Sequence, residues 1–111
     1  MLPVVVERLD DRVECPEGVE LSCSAPGHPL GSFFEDRWPP FLGYNRVQLR
    51  GGATQVAAIG EEPFVAELNV DRGHTLVWTS DIGPHWCPSP VMEDPRFGRF
   101  WKAALEYVAR S

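Results

Sequence analysis

Between residues 46 and 80 the chain passes through a series of short β-like stretches joined by turns of only a few residues. That spacing favours antiparallel neighbours, because a parallel crossover needs about a dozen residues or more. Val47 and Leu49 alternate with Arg46, Gln48 and Arg50, and Gly51-Gly52 makes a turn. Val56-Ala57-Ala58-Ile59 ends at Gly60, and Glu61-Glu62-Pro63 is the next predicted turn. Phe64, Ala66 and Leu68 then alternate with Val65, Glu67 and Asn69. Asp71-Arg72-Gly73 turns into Thr75-Leu76-Val77-Trp78-Thr79, a run apolar on both faces that is expected toward the sheet centre.

The end of the chain reads as a helix over 94–110. Phe97, Phe100, Trp101, Ala104, Leu105 and Val108 share one stripe, while Arg99, Lys102, Glu106 and Arg110 lie off it. Asp94-Pro95 supplies a capping aspartate and a first-turn proline. Residues 1–45 are expected to be irregular with short strands: Val4-Val5-Val6, the charged turn Asp10-Asp11-Arg12, and the alternating run Val19-Glu20-Leu21. The prolines of Trp38-Pro39-Pro40-Phe41 exclude a helix or central strand, leaving a loop with aromatic anchors. With 11 prolines and 10 glycines in 111 residues, one domain of short elements is the expectation over 1–111.

A formal net charge of −6 argues against a nucleic-acid partner, which would need a basic stripe, and Lys102 is the only lysine. No apolar stretch approaches the roughly 18–20 residues that span a bilayer, and Met1-Leu2-Pro3-Val4-Val5-Val6-Glu7 lacks the character of a signal peptide. The expected location is cytoplasmic. Cys15, Cys23 and Cys87, irregularly spaced and odd in number, are expected to be reduced thiols.

Several segments together carry a resemblance. They are Leu2-Pro3-Val4, Asp10-Asp11-Arg12-Val13-Glu14, Pro16-Glu17-Gly18, His28-Pro29-Leu30 and Pro40-Phe41-Leu42-Gly43-Tyr44-Asn45-Arg46-Val47. Trp78-Thr79-Ser80-Asp81-Ile82-Gly83-Pro84-His85-Trp86 and Phe97-Gly98-Arg99-Phe100-Trp101 complete the set. In this order they resemble the glutamine amidotransferase-like family, related to the class I glutamine amidotransferases. The resemblance implies an α/β, flavodoxin-like three-layer sandwich with a mixed, mostly parallel sheet, here its C-terminal part with a β-meander and a terminal amphipathic helix. It also implies that an amino-terminal half, which in true glutaminases carries a glycine-flanked nucleophilic cysteine, is missing. The chain is then a truncated member, one half of a split gene or a decayed copy.

Class I glutaminase chemistry needs a thiolate, a histidine base, a group orienting that base, and backbone donors for the oxyanion. Glu14-Cys15-Pro16, Ser22-Cys23-Ser24 and Trp86-Cys87-Pro88 have no flanking glycines, and a proline after Cys15 or Cys87 removes a backbone donor. His85 is the best single candidate. It follows the Thr75–Thr79 run in a loop leading to the helix, and by resemblance it corresponds to a triad histidine. Asp81 either orients it or caps the turn. The competing reading is a rigid loop whose aromatics pack on the core.

Tyr44, Asn45 and Trp86 are candidate binding residues, with packing between loop and sheet as the alternative for Tyr44. His74 reads as a turn residue entering a strand. Glu7, Asp10, Asp11, Glu14, Glu17 and Glu20 read as a solvated acidic face. No Cys-x-x-Cys or His-x-x-x-His pair supports zinc, so no metal site is predicted, and no cofactor is implied. Two functions remain open. One is a non-catalytic amidotransferase-like module that self-associates or takes a partner chain supplying the missing half. The other is half of a split amidotransferase or hydrolase, with His85 and Asp81 completing a site whose nucleophile comes from another chain.

Overall fold

A computed structural model describes residues 1–8, 11–71, 73–83 and 85–109. The predicted roles of Asp10, Arg72, Pro84 and Arg110 lie outside the described residues. The centre is a four-stranded sheet in the order β3 (Leu21–Cys23), β6 (Thr54–Ile59), β7 (Glu62–Val70) and β8 (Gly73–Trp78). Two smaller pairs flank it. β1 (Val4–Val5) pairs with β5 (Gln48–Leu49), and β2 (Arg12–Val19) pairs with β4 (Phe41–Asn45). Two helices follow among the described residues, α1 (Ser89–Met92) and α2 (Pro95–Ala109), and among those residues no helix is long and apolar enough to cross a membrane.

Every strand pair among the described residues is antiparallel, so the meander and terminal helix appear as expected, whereas the mostly parallel, mixed sheet does not. The connections explain this. β6 and β7 are joined through Gly60 and Glu61, and β7 and β8 through Asp71 and the residue after it, far too little chain for a crossover. The β6–β7 turn starts one residue earlier and ends two residues earlier than predicted, because Gly60, at φ +57°, takes the left-handed conformation the hairpin requires. Pro63 therefore joins β7 opposite Ala58, at a register irregularity where the missing N–H is tolerated.

Residues 12–19, expected to be irregular, form the long strand β2. Its register against β4 jumps between Glu14 and Val19, so Pro16 falls in a bulge and interrupts no ladder bond. The predicted Val19-Glu20-Leu21 strand is split at Glu20 between two sheets.

The core is aromatic. Phe34, Trp38, Phe41, Phe64 and Phe100 are each at most 3% exposed. Phe64 lies 4.4 Å from the Trp78 ring and 5.2 Å from that of Phe41, and Phe34 is 5.3 Å from Phe100. The prolines before Phe41 hold a loop whose aromatic ends are both buried, as predicted, and Trp38 donates Nε1–H to the Phe33 carbonyl at 2.6 Å.

Helix α2 begins on the expected cap, since Asp94 Oδ1 accepts the Arg96 backbone N–H at 2.9 Å. Arg96 also reaches the carbonyls of Asp36 and Arg37 and covers the Trp38 ring, fastening the helix start to the proline loop. Phe100 and Ala104 are buried in the core, but Leu105, predicted on the same stripe, is 65% exposed. β8 also departs from its predicted central place. It is the sheet edge, and all six of its residues are half-buried, whereas β7 is buried on both faces from Pro63 to Leu68.

Candidate functional site

The loop leaving β8 is fixed to β4 residue by residue. Thr79 is buried; its N–H donates to the Phe64 carbonyl at 3.0 Å, its Oγ1 donates to the Pro63 carbonyl, and its own carbonyl accepts the Asn45 N–H at 2.8 Å. Ser80 Oγ donates to the Gly43 carbonyl at 2.7 Å. The Asp81 carbonyl accepts the Trp78 indole N–H at 3.1 Å, and its two carboxylate oxygens both lie 3.3 Å from the Trp86 backbone N–H. The Trp86 carbonyl in turn accepts the Leu42 N–H at 2.8 Å.

Trp86 is 5% exposed, with its indole laid across Gly43. A Cβ at position 43 would stand 2.4 Å from Trp86 Nε1, so only glycine leaves room for the ring. The indole N–H donates to Glu14 Oε2 at 2.9 Å, and the other oxygen of that carboxylate lies 3.8 Å from His85 Nε2. His85 itself is exposed.

The predicted residues therefore gather at one end of β8, in a different arrangement from a His85–Asp81 pair. Asp81 holds the Trp86 backbone, which is the capping alternative, and the carboxylate beside His85 is Glu14, read from sequence as part of a solvated face. Tyr44 is buried in β4 and Asn45 is exposed at its end, with Asn45 Nδ2 3.4 Å from the Thr79 carbonyl. Burial pushes the Tyr44 hydroxyl pKa up, with Cys15 nearby adding to the effect.

The thiols are in poor surroundings for a nucleophile. Cys87 is fully buried, and burial, with Asp81 adding to it, pushes its pKa up to about 11. Cys15 is raised by burial first and then by the charges of Glu17 and Glu14. Cys23 donates from Sγ to the Gly31 carbonyl at 3.4 Å. Among the described residues, no hydrogen bond joins a cysteine to a histidine.

A second polar cluster went unseen in the sequence. Glu67, on the central strand β7, is 4% exposed and bridges two histidines: its Oε1 lies 3.1 Å from His28 Nε2 and its Oε2 lies 3.2 Å from His74 Nδ1. His28 Nδ1 accepts the Leu30 N–H at 3.1 Å, which assigns the ring proton to Nε2, where it donates to Glu67. The Tyr107 ring of α2 covers both imidazoles, at 5.3 Å from His28 and 4.2 Å from His74. The cluster satisfies a carboxylate that strand alternation alone would have turned to solvent, and it ties helix to sheet. Among the described residues no group of three or more His, Cys, Asp and Glu side chains converges as a metal site.

Comparison with known proteins fits this frame. The family described as "Putative glutamine amidotransferase" matches residues 1–110. Two solved structures from Salmonella typhimurium superpose closely. The cytoplasmic protein STM3548 gives a TM-score of 0.90 at 36% identity, and the match covers 99% of this chain and 44% of that one. The cytoplasmic protein STM1381 of strain LT2 gives a TM-score of 0.90 at 29% identity with the same coverage, 99% and 44%. This chain thus spans less than half the length of either neighbour. No curated protein matches. With the match running over essentially the whole chain, the protein belongs to the glutamine amidotransferase-like family.

Proposed function

We propose that this chain is the C-terminal part of a glutamine amidotransferase-like domain and that it is non-catalytic by itself. The observation that carries the reading is the state of its thiols. Acyl transfer from glutamine needs a thiolate next to a base, and Cys87 is buried with its pKa pushed up to about 11. Cys15 is also shifted upward, and none of the three cysteines stands between glycines. In the complete domain this meander and helix form one side of a flavodoxin-like three-layer sandwich. The remaining strands come from a partner chain; self-association is the other way of covering the open side. The descriptions of both Salmonella neighbours support a cytoplasmic setting.

One observation favours the second reading, a split amidotransferase or hydrolase. His85 presents an exposed imidazole beyond the end of β8, with Glu14 near it and no bond to Asp81, so it is free to meet a nucleophile from another chain. Ammonia release from glutamine tests both readings. It is measured for this chain alone and for the chain co-expressed with the segment of STM3548 outside the matched 44%. The first reading expects no release from the chain alone. Release from the mixture that disappears in His85→Ala establishes the second reading, and release by the isolated chain overturns the proposal.

A further inference from the structure

The outer edge of β8 is where the open side of the sheet lies. Thr79 N–H bonds to the Phe64 carbonyl, so by antiparallel alternation Val77 and Thr75 exchange their bonds with Ala66 and Leu68. The N–H and C=O groups of His74, Leu76 and Trp78 then point away from the sheet. No residue of Gly-His-Thr-Leu-Val-Trp carries a fixed charge or is a proline, so this edge lacks the usual protection against pairing.

Grooves open on both sides of the strand, mainly apolar toward α2 and mixed on the other side. A space of about 380 Å³ lies toward α2, walled by Leu2, Leu76, Trp101, Leu105 and Val108. Another of about 220 Å³ lies beside Val77, against Leu2, Val4 and Val6, with the charged Arg8, Asp11 and Arg46 also on its wall. Leu2, Val6 and Leu105 are each more than half exposed. The Trp101 indole N–H on the α2 side is buried without an acceptor. A buried donor left unpaired is costly, and a strand added along β8 turns alternate side chains toward that face.

We infer that the edge of β8, with the grooves on its two sides, is the docking site for a β-strand of the companion segment that completes the domain. Such a strand would pair with His74, Leu76 and Trp78, set apolar side chains against Leu105 and Leu2, and offer a side-chain acceptor to Trp101 Nε1. The choice of occupant follows from length. More than half of each Salmonella neighbour lies outside the part this chain matches at a TM-score of 0.90, and β8 combines an edge ladder with an apolar wall on its α2 face. The inference rests on the half-domain reading above.

The test co-expresses the full chain with the segment of STM3548 outside the matched 44% and follows amide hydrogen exchange. The expected result is a one-to-one complex in which the His74, Leu76 and Trp78 amides exchange at least about tenfold more slowly than in the chain alone. Leu105→Lys, at a position exposed in the free chain, should leave the chain folded and weaken the complex at least about tenfold, and Trp101→Phe should weaken it as well. A complex in which the β8 amides exchange as in the free chain overturns this inference while leaving the half-domain reading standing. A dimer of the chain alone, with those amides already protected, also overturns it by making a second copy the occupant. Absence of any complex removes both this inference and the half-domain reading beneath it.

Discussion

Replacing Gly43 by alanine probes the contact on which the whole β4–loop arrangement depends. The added Cβ would stand 2.4 Å from Trp86 Nε1 and 2.6 Å from both Cδ1 and Cε2, far inside contact distance. These are atoms of a rigid ring whose backbone is held at both ends, by Asp81 and by Leu42, so the indole has to swing away as a unit. Overpacking of this kind costs about 1–3 kcal/mol. Loss of the Nε1–H bond to the Glu14 carboxylate adds about 1 kcal/mol, a modest share because that carboxylate is half exposed. The total of about 2–4 kcal/mol lowers the melting temperature of a chain this size by about 10–20 °C.

Urea unfolding followed by far-ultraviolet circular dichroism measures it. A double-mutant cycle identifies the cause, because in a Trp86→Leu background the ring is gone and Gly43→Ala should cost under about 1 kcal/mol. A Gly43→Ala protein within about 0.5 kcal/mol of wild type, or one equally destabilised in both backgrounds, refutes the packing argument.

Other perturbations follow from the same contacts. Phe64→Ala empties the centre of the aromatic core and should cost about 3–5 kcal/mol in urea unfolding. Asp94→Ala removes the α2 cap and the partner of Arg96, with an expected loss of about 1–2 kcal/mol at neutral pH. The Arg96 bonds hold the Asp94 pKa below its ordinary value, so its contribution is complete above about pH 4 and fades as the pH falls through the lowered value. Wild type and Asp94→Ala should therefore converge in acid urea titrations. Cys87 has the opposite sign. Its folded pKa is raised from 9.0 to about 11, so its contribution is whole below pH 9 and is lost as the pH rises toward 11. The urea midpoint of wild type should fall more steeply from pH 8 to pH 10.5 than that of Cys87→Ala.

What could be read from the sequence was what depends on nearby residues. Close turn spacing gave the meander, and the Asp94-Pro95 pair with a helical stripe gave α2, because turn and cap chemistry act within a few positions. The place of a strand within its sheet is a different kind of fact. Thr75–Trp78 is apolar on both faces, as a central strand would be, yet it forms the half-buried edge of the sheet.

The candidate site divides along the same line. Asp81, His85 and Trp86 lie in the segment beyond β8, but the carboxylate beside His85 comes from Glu14, 71 positions away in sequence, which no local pattern reveals. The cluster of His28, Glu67 and His74 was hidden for a related reason. Glu67 alternates as a solvent-facing residue would, and only the cover of α2 and the His28 loop on the second face of β7 makes it a buried, bridged carboxylate. The signal available was a lone acidic residue within Pro-Phe-Val-Ala-Glu-Leu, too faint to read without knowing that both faces are covered.

The claim that no thiol of this chain serves as a glutaminase nucleophile is tested most directly with an electrophilic glutamine analogue, a diazoketone that alkylates an activated cysteine. The folded chain is incubated with it near pH 7.5, and the intact mass is then measured. The account predicts an unchanged mass. A single adduct on the folded protein that is suppressed by glutamine and mapped to Cys15, Cys23 or Cys87 contradicts it.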